Sequence, residues 1–222
     1  AIVGAEALLR WNRDGTQVLG PAAFIDIAED SDLICQFGTW ALRTAALMAR
    51  DLDQAGRPII MSVNVSVRQF AEDDLPATVR GILADTGLNP GLLKLEITES
   101  LFMRDTDRVI ACMKELRQMG VTFAVDDFGV GFSSLQYLTR LPLDCLKIDK
   151  SFIDGMEDSP DKSMLVQAII SLAKSLGLSS VAEGVETATQ LILLRARGCD
   201  LIQGYYTGRP MPAGDFRKLL LG

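Results

Sequence analysis

Five carboxylates stand where short apolar runs of the chain end: Glu6, Glu96, Asp126, Asp127 and Glu183, with Asn64, Lys147, Asp149 and Gln203 at similar places. Carboxylates gathered at one place repel each other, so some stay protonated at neutral pH or cations balance them. With all five ionised and Lys147 opposing them, four negative charges remain, the charge of two divalent cations. The chain has no histidine, and its four cysteines, Cys35, Cys112, Cys145 and Cys199, are scattered without a CxxC spacing. That excludes Ser-His-Asp and Cys-His catalysis and most zinc hydrolase designs. The cysteines read as reduced core residues. Ligands that are all oxygen favour Mg2+ or Mn2+. Two such ions about 4 Å apart stabilise the attacking and leaving oxygens of an in-line phosphoryl displacement. Each acidic residue alone has a plainer reading as a helix cap, an ion-pair member or, for Asp126-Asp127 before Gly129, a turn. Lys147 and Arg10 read equally well as simple partners of neighbouring carboxylates. Five carboxylates converging together outweigh those readings and point to metal-dependent phosphoester chemistry, though not to a substrate.

A framework must bring these residues together. Apolar, β-branched runs predict strands at Val3–Arg10, Ile59–Ser66, Leu92–Thr98, Thr122–Asp127, Cys145–Asp149, Ser180–Glu183 and Leu201–Tyr205. Amphipathic stretches predict helices at Pro21–Glu29, Gly38–Gln54, Leu75–Asp85, Thr106–Met119, Asp161–Ser175, Thr187–Arg197 and Ala213–Leu221. Such alternation implies an α/β fold of parallel βαβ units, and its expected form is a TIM-like (β/α)8 barrel. An open doubly wound sheet fits less well. No glycine-rich phosphate loop follows the first strand, and polar residues end nearly every strand rather than marking one switch point. A closed barrel needs eight strands and seven are predicted, the first beginning almost at residue 1. The expectation is one domain over residues 1–222, truncated before its first strand and part of a larger chain. Alternation along a strand puts Glu6, Leu8 and Arg10 on one side, and likewise Ser62, Asn64 and Ser66, Glu96 and Thr98, and Lys147 and Asp149. In a barrel the chemistry sits at the C-terminal strand ends, where these residues fall.

Composition narrows the partners. At 48% hydrophobic and 23% charged residues the chain reads as globular rather than disordered. A net charge of −7 without a long basic run argues against binding long nucleic acid. Small phosphate-bearing ligands remain open if metals bring the positive charge. With no apolar run of spanning length and no signal-peptide layout, the expectation is a cytoplasmic domain without membrane contact of its own, in the cytosolic part of a membrane-anchored sensor or a soluble chain.

The motifs themselves are distinctive. Glu6-Ala7-Leu8-Leu9-Arg10-Trp11 resembles the signature of the EAL family. Asn64-Val65-Ser66, Glu96-Ile97-Thr98-Glu99, Asp126-Asp127-Phe128-Gly129, Lys147-Ile148-Asp149, Glu183-Gly184-Val185-Glu186 and Gln203-Gly204-Tyr205 follow in that family's order over nearly the whole chain. The resemblance implies a cyclic-di-GMP phosphodiesterase that opens one phosphodiester bond to give the linear dinucleotide pGpG. It implies one ion held by Glu6, Asn64, Glu96 and Asp126, and a second held by Asp126, Asp127 and Glu183. Lys147 would orient or deprotonate the attacking water, with Glu183 and Gln203 beside it. Arg10, the backbone near Leu8, and Asp149 would contact substrate. Glu99 would hold the loop from Phe128 to Ser134, and Glu186 would support Glu183. A homodimer is implied too, with apolar residues near Tyr137 and Leu138 as its candidate surface. Two residues depart from the family pattern: Val130 and Phe132 stand where Thr and Tyr are common, so altered tuning of that loop is expected. Tyr205 to Pro210 matches more loosely. The rival readings are a receptor that binds the dinucleotide without cleaving it and an enolase-like metal enzyme. The first would lack ligands, and none is missing. The second would not place Asp126 beside Asp127 or recruit Asn64.

Overall fold

The computed structural model describes residues 1–31, 33–71, 74–99, 101, 106–130 and 138–222. They form two compact units, Ala1–Glu96 with Asp107–Thr122 and Met211–Gly222, and Ile97–Thr106 with Phe123–Pro210.

In the first unit, β1 (Gly4–Ala7) leads into a hairpin of β2 (Trp11–Arg13) and β3 (Gln17–Leu19), followed by α1 (Ile25–Asp30) and the long α2 (Leu33–Gln54). Then come β4 (Ile60–Asn64), α3 (Val67–Ala71), α4 (Leu75–Thr86), β5 (Leu93–Thr98) and α5 (Thr106–Gln118). β1 pairs with β4 and β4 with β5, all parallel, setting Glu6 opposite Ser62 and Asn64 opposite Glu96. α2 buries Ile34, Gly38, Ala41, Leu42, Ala45, Ala46, Ala49 and Leu52, one face at helical spacing, against β4 and α4. Fully burying a side chain such as Leu42 or Leu52 contributes about 1.5–3 kcal/mol. Small alanines on the rest of that stripe let the helix lie close to the strands.

In the second unit β6 (Thr122–Phe128), β7 (Cys145–Ile148), β8 (Ser179–Ala182) and β9 (Leu201–Ile202) pair in that order, parallel throughout. The short α6 (Lys150–Ile153) and then α7 (Pro160–Ser175) follow β7, and α8 (Ala188–Ala196) follows β8. α7 starts at a Ser159 cap and buries Val166, Ile170 and Ala173 against β7 and β8. Thr187 and Gln190 form a capping box at the start of α8. The C-terminal helix α9 (Ala213–Leu221) belongs to the first unit.

All seven predicted strands are present, but β1 ends at Ala7 rather than Arg10, and β9 at Ile202 rather than Tyr205. The segment after Ala7 runs into the unpredicted hairpin, and the chain after Ile202 turns back on itself through Gly204. α2 begins at Leu33, ahead of the predicted Gly38, and Pro21–Glu29 divides into a 3-10 turn over Pro21–Ala23 and α1. Asp149, expected within a strand, instead caps α6, accepting from the Ser151 N–H at 3.0 Å. Among the described residues no helix is long and apolar enough to cross a membrane.

Candidate metal centre

The first unit gathers three oxygen-bearing side chains at the C-terminal ends of neighbouring strands. Glu6 is the penultimate residue of β1, Asn64 closes β4, and Glu96 lies in β5 at 2% exposure. The Asn64 amide nitrogen donates to Glu6 Oε1 at 2.7 Å. One carboxylate oxygen of Glu6 and one of Glu96 lie within 4.8 Å of each other. Two carboxylates and a neutral amide oxygen suit a hard divalent cation, and their combined charge matches one.

The second unit builds its own group from Asp126, Asp127 and Glu183, whose oxygens all lie within 4.8 Å of one another. Neighbours in a regular strand point to opposite faces, so Asp126 and Asp127 should diverge. They do not, because Asp127 takes a left-handed backbone conformation (φ 53°) where the pairing of β6 with β7 shifts register between Val125 and Phe128. Lys147, 2% exposed, projects from β7 into the group. Its Nζ lies 3.0 Å from Asp126 Oδ1 and 2.6 Å from Glu183 Oε1. Three carboxylates against one ammonium leave two negative charges, again those of one divalent cation. Burial, then the nearby charges of Asp126 and Asp149, push the Asp127 carboxyl above its ordinary range, while Lys147 opposes the shift. A side-chain hydrogen bond with Asp149 acts in the same upward direction. Three carboxylates around one ammonium, all oxygen donors, fit a hard divalent cation.

Glu183 stands at the end of β8 on a loop fixed by backbone bonds. Its N–H donates to the Ile148 carbonyl at 3.0 Å. The Gln203 N–H donates to Ala182 O at 2.8 Å, Val185 N–H to Gln203 O at 3.0 Å, and Tyr206 N–H to Val185 O at 2.9 Å. Those last three bonds join the segments 182–185 and 203–206 so closely that a Cβ on Gly204 would collide with the Val185 backbone. Glu186 accepts from Lys150 Nζ at 2.6 Å, and that hydrogen bond raises the Lys150 ammonium above its ordinary pKa. The Gln190 side chain accepts from the Glu186 N–H at 2.8 Å.

The remaining expected residues are placed as follows. Leu8 and Arg10 are exposed after β1, and Arg10 Nη1 donates to the Leu9 carbonyl at 2.7 Å. Glu99 Oε2 is buried with no hydrogen-bond partner among the described residues. Of the loop that Glu99 is expected to hold, Phe128 is buried and Val130 is exposed. Residues 131–137, including Phe132, Ser134 and Tyr137, lie outside the described residues. Leu138 is a core residue at 4% exposure. Sequence reasoning passed over Lys150, whose ammonium lies 5.9 Å from the centre of the Tyr205 ring, and Arg209, whose guanidinium lies 4.3 Å from it. An aromatic residue four positions before an arginine was the available signal.

Known proteins share this arrangement of sequence. The family model of the EAL domain matches residues 1–210. The bifunctional diguanylate cyclase/cyclic di-GMP phosphodiesterase MucR of Pseudomonas aeruginosa is 43% identical over 213 residues, covering 96% of this chain and 31% of that protein. The cyclic di-GMP phosphodiesterase NbdA of the same organism is 42% identical over 216 residues, 97% of this chain and 28% of that protein. The chain thus spans about a third of the length of these curated relatives. The solved PaMucR phosphodiesterase in complex with c-di-GMP superposes with a TM-score of 0.92 at 42% identity, covering 97% of this chain and 88% of the other. The EAL domain of Mycobacterium smegmatis DcpA gives 0.79 at 37% identity, with 85% of each chain covered. EAL domains have a TIM-like barrel fold, and that α/β class is the fold class of this chain.

Proposed function

Because the chain belongs to the EAL domain family, we propose that it hydrolyses one phosphodiester bond of cyclic-di-GMP to the linear dinucleotide pGpG with divalent cations, Mg2+ or Mn2+. The observation that carries this reading is the buried Lys147 ammonium between Asp126 and Glu183, with Asp127 turned into the same group. Asp126, Asp127 and Glu183 would hold one ion, and Glu6, Asn64 and Glu96 would hold another. A divalent cation so bound neutralises phosphate charge and makes a water molecule acidic enough to attack at neutral pH.

The chain's own groups do the rest. The contacts of Lys147 with Asp126 and Glu183 fix its ammonium beside the carboxylates that would hold the ion. There the ammonium would orient the attacking water; only its neutral amine form, after passing its own proton to Glu183, would accept the proton of that water. Glu183 fixes that ammonium, and the backbone bonds from residue 203 to Ala182 and Val185 keep Gln203 beside Glu183. Arg10 offers an exposed guanidinium for a substrate phosphate or base, with the backbone near Leu8 alongside. Asp149 restrains Asp127 through their hydrogen bond, and Glu186 steadies the loop of Glu183 through Lys150. Buried Glu99 would receive a donor from the loop beyond Val130. The substrate is an intracellular bacterial messenger, so this reading places the domain in the cytoplasm; a homodimer belongs to the same expectation, and sedimentation of the purified protein tests it.

The direct test incubates purified protein with cyclic-di-GMP and Mg2+ or Mn2+ and separates the products by chromatography. Linear dinucleotide is expected from the wild type, and none from Glu6→Ala or from wild type in chelator. Tight binding without any cleavage would favour the receptor and sink the hydrolase.

A further inference from the structure

The turn that follows β9 carries an arrangement the metal centre does not use. Tyr205 is 50% exposed, and the Arg209 guanidinium lies 4.3 Å from its ring centre. The turn brings the two together: the N–H groups of Thr207 and Gly208 both donate to the Gly204 carbonyl, at 3.0 and 3.1 Å, and the Thr207 hydroxyl donates to it at 2.8 Å. Nearby Lys150 is already engaged. Its stem fills the space that a Cβ on Gly184 would need, and its ammonium is bound to Glu186. Arg209 has no such partner: among the described residues no carboxylate pairs with it, although the chain carries 29 acidic residues against 22 basic ones. An exposed arginine in an acidic protein that rests on a tyrosine ring, and not on a carboxylate, keeps its N–H fork open to a ligand.

That fork has a defined chemistry. A guanidinium held against an aromatic ring is pre-oriented, and its paired N–H groups match acceptors arranged side by side. The O6 and N7 edge of guanine is such a pair, whereas adenine presents a donor in place of O6. The turn is also tied to the metal-binding loop, because the bonds between residues 182–185 and 203–206 connect Tyr205 to the segment bearing Glu183. A base read at Arg209 therefore stands at a fixed offset from the reacting phosphate.

We propose that Arg209 is a specificity-determining residue that reads the O6/N7 edge of one guanine of the substrate, with Tyr205 as the positioning residue that holds its guanidinium. This assignment rests on the phosphodiesterase reading above. It predicts a contribution to binding and discrimination, and none to the chemical step.

The test compares wild type, Arg209→Ala, Arg209→Lys, Tyr205→Leu and Tyr205→Phe on cyclic-di-GMP, cyclic-di-AMP and bis(p-nitrophenyl) phosphate. Arg209→Ala is expected to raise KM for cyclic-di-GMP about tenfold. Its kcat on that substrate should change less than about twofold, because the contact is already made in the ground state. Its kinetics on the other two diesters should be unchanged. Arg209→Lys should restore only part of the loss, since an ammonium can still donate to O6 and N7 but lacks the planar fork held against the Tyr205 ring. Tyr205→Leu should raise KM in the same direction, and Tyr205→Phe, which keeps the ring, should match wild type. Unchanged turnover of the p-nitrophenyl ester shows that each variant retains its fold and metal centre. An equal loss on all three diesters would overturn the assignment; so would an unchanged preference for guanine in Arg209→Ala. A wild type that cleaves no diester sinks the phosphodiesterase reading and this assignment with it, whereas a cleaving wild type with indistinguishable variants sinks the assignment alone.

Discussion

Lys147 is the residue on which the metal-free state depends. It is 2% exposed, and its two carboxylate partners are nearly as enclosed, with side chains 12% and 16% exposed for Asp126 and Glu183. Removing one member of a buried charged set leaves the others uncompensated, a loss of roughly 3–5 kcal/mol. Lys147→Met should therefore lower the thermal midpoint sharply in chelator, and Mn2+ should recover more stability in the variant than in wild type. Equal recovery in both would show that the ammonium and the ion do not share a site. Asp127 gives a pH signature. Its folded-state pKa lies above the ordinary 3.8, so the folded protein binds this proton more tightly than the unfolded chain does. Its stabilising effect is complete below about 3.8 and is lost as pH rises through the raised value. In chelator, Asp127→Asn should match wild type in acid and melt at a higher temperature at neutral pH; a gap that does not change with pH would contradict this. The acidic residues themselves were legible in the sequence, because each sits where an apolar run stops. The left-handed turn at Asp127 was not: nothing in an Asp-Asp pair announces that a register shift will bring both side chains to one face.

At the scale of elements, β8 and β9 matter less for their length than for how the chain leaves them. Three backbone bonds join residues 182–185 to 203–206, and Gly204 is required at the contact because any side chain there meets Val185 backbone. Gly204→Ala should cost more than about 2 kcal/mol, read from the urea midpoint. Gly208→Ala, four residues on, meets nothing within 4 Å and should stay within about 0.5 kcal/mol of wild type. Similar costs at both positions would mean that the close approach at 204 is not restrictive. Strands and long helices were readable because burial on one or both faces leaves a period in the sequence. The β2–β3 hairpin was missed for the opposite reason: β2 is exposed throughout and β3 nearly so. Its turn did leave a signal, since Asp14-Gly15 takes left-handed values of 55° and 72° and Thr16 N–H closes onto Arg13 O at 3.2 Å. α3 and α6, at five and four residues, are too short for any period to register.

For the whole molecule, charge is the controlling quantity. A chain of net charge −7 that collects carboxylates at strand ends should be stabilised by ions able to enter those groups, and far less by ionic strength alone. A divalent ion at a hundred times its Kd adds about 2.7 kcal/mol. Mn2+ and Mg2+ should raise the melting temperature of wild type, NaCl of matched ionic strength should not, and Glu6→Ala and Asp127→Asn should each reduce the rise. Equal responses to salt and to Mn2+ would remove the case for specific ion sites. The ligand class was legible from composition, because a chain without histidine has only oxygen to offer at those positions. The partnership of Lys150, Glu186 and Tyr205 was not, since residues so far apart in sequence meet only once β7, β8 and β9 are side by side. The ammonium of Lys147 also bears on how the protein is made. A domain whose acidic cluster had no internal counter-charge would have to find its metal during folding, and would misfold when the ion ran short. This chain carries a resident cation, Lys147, between Asp126 and Glu183, which would let it fold before any ion binds. On the proposed reading, loading would be a late and reversible event, and the free ion concentration would set how many finished molecules carry the ion.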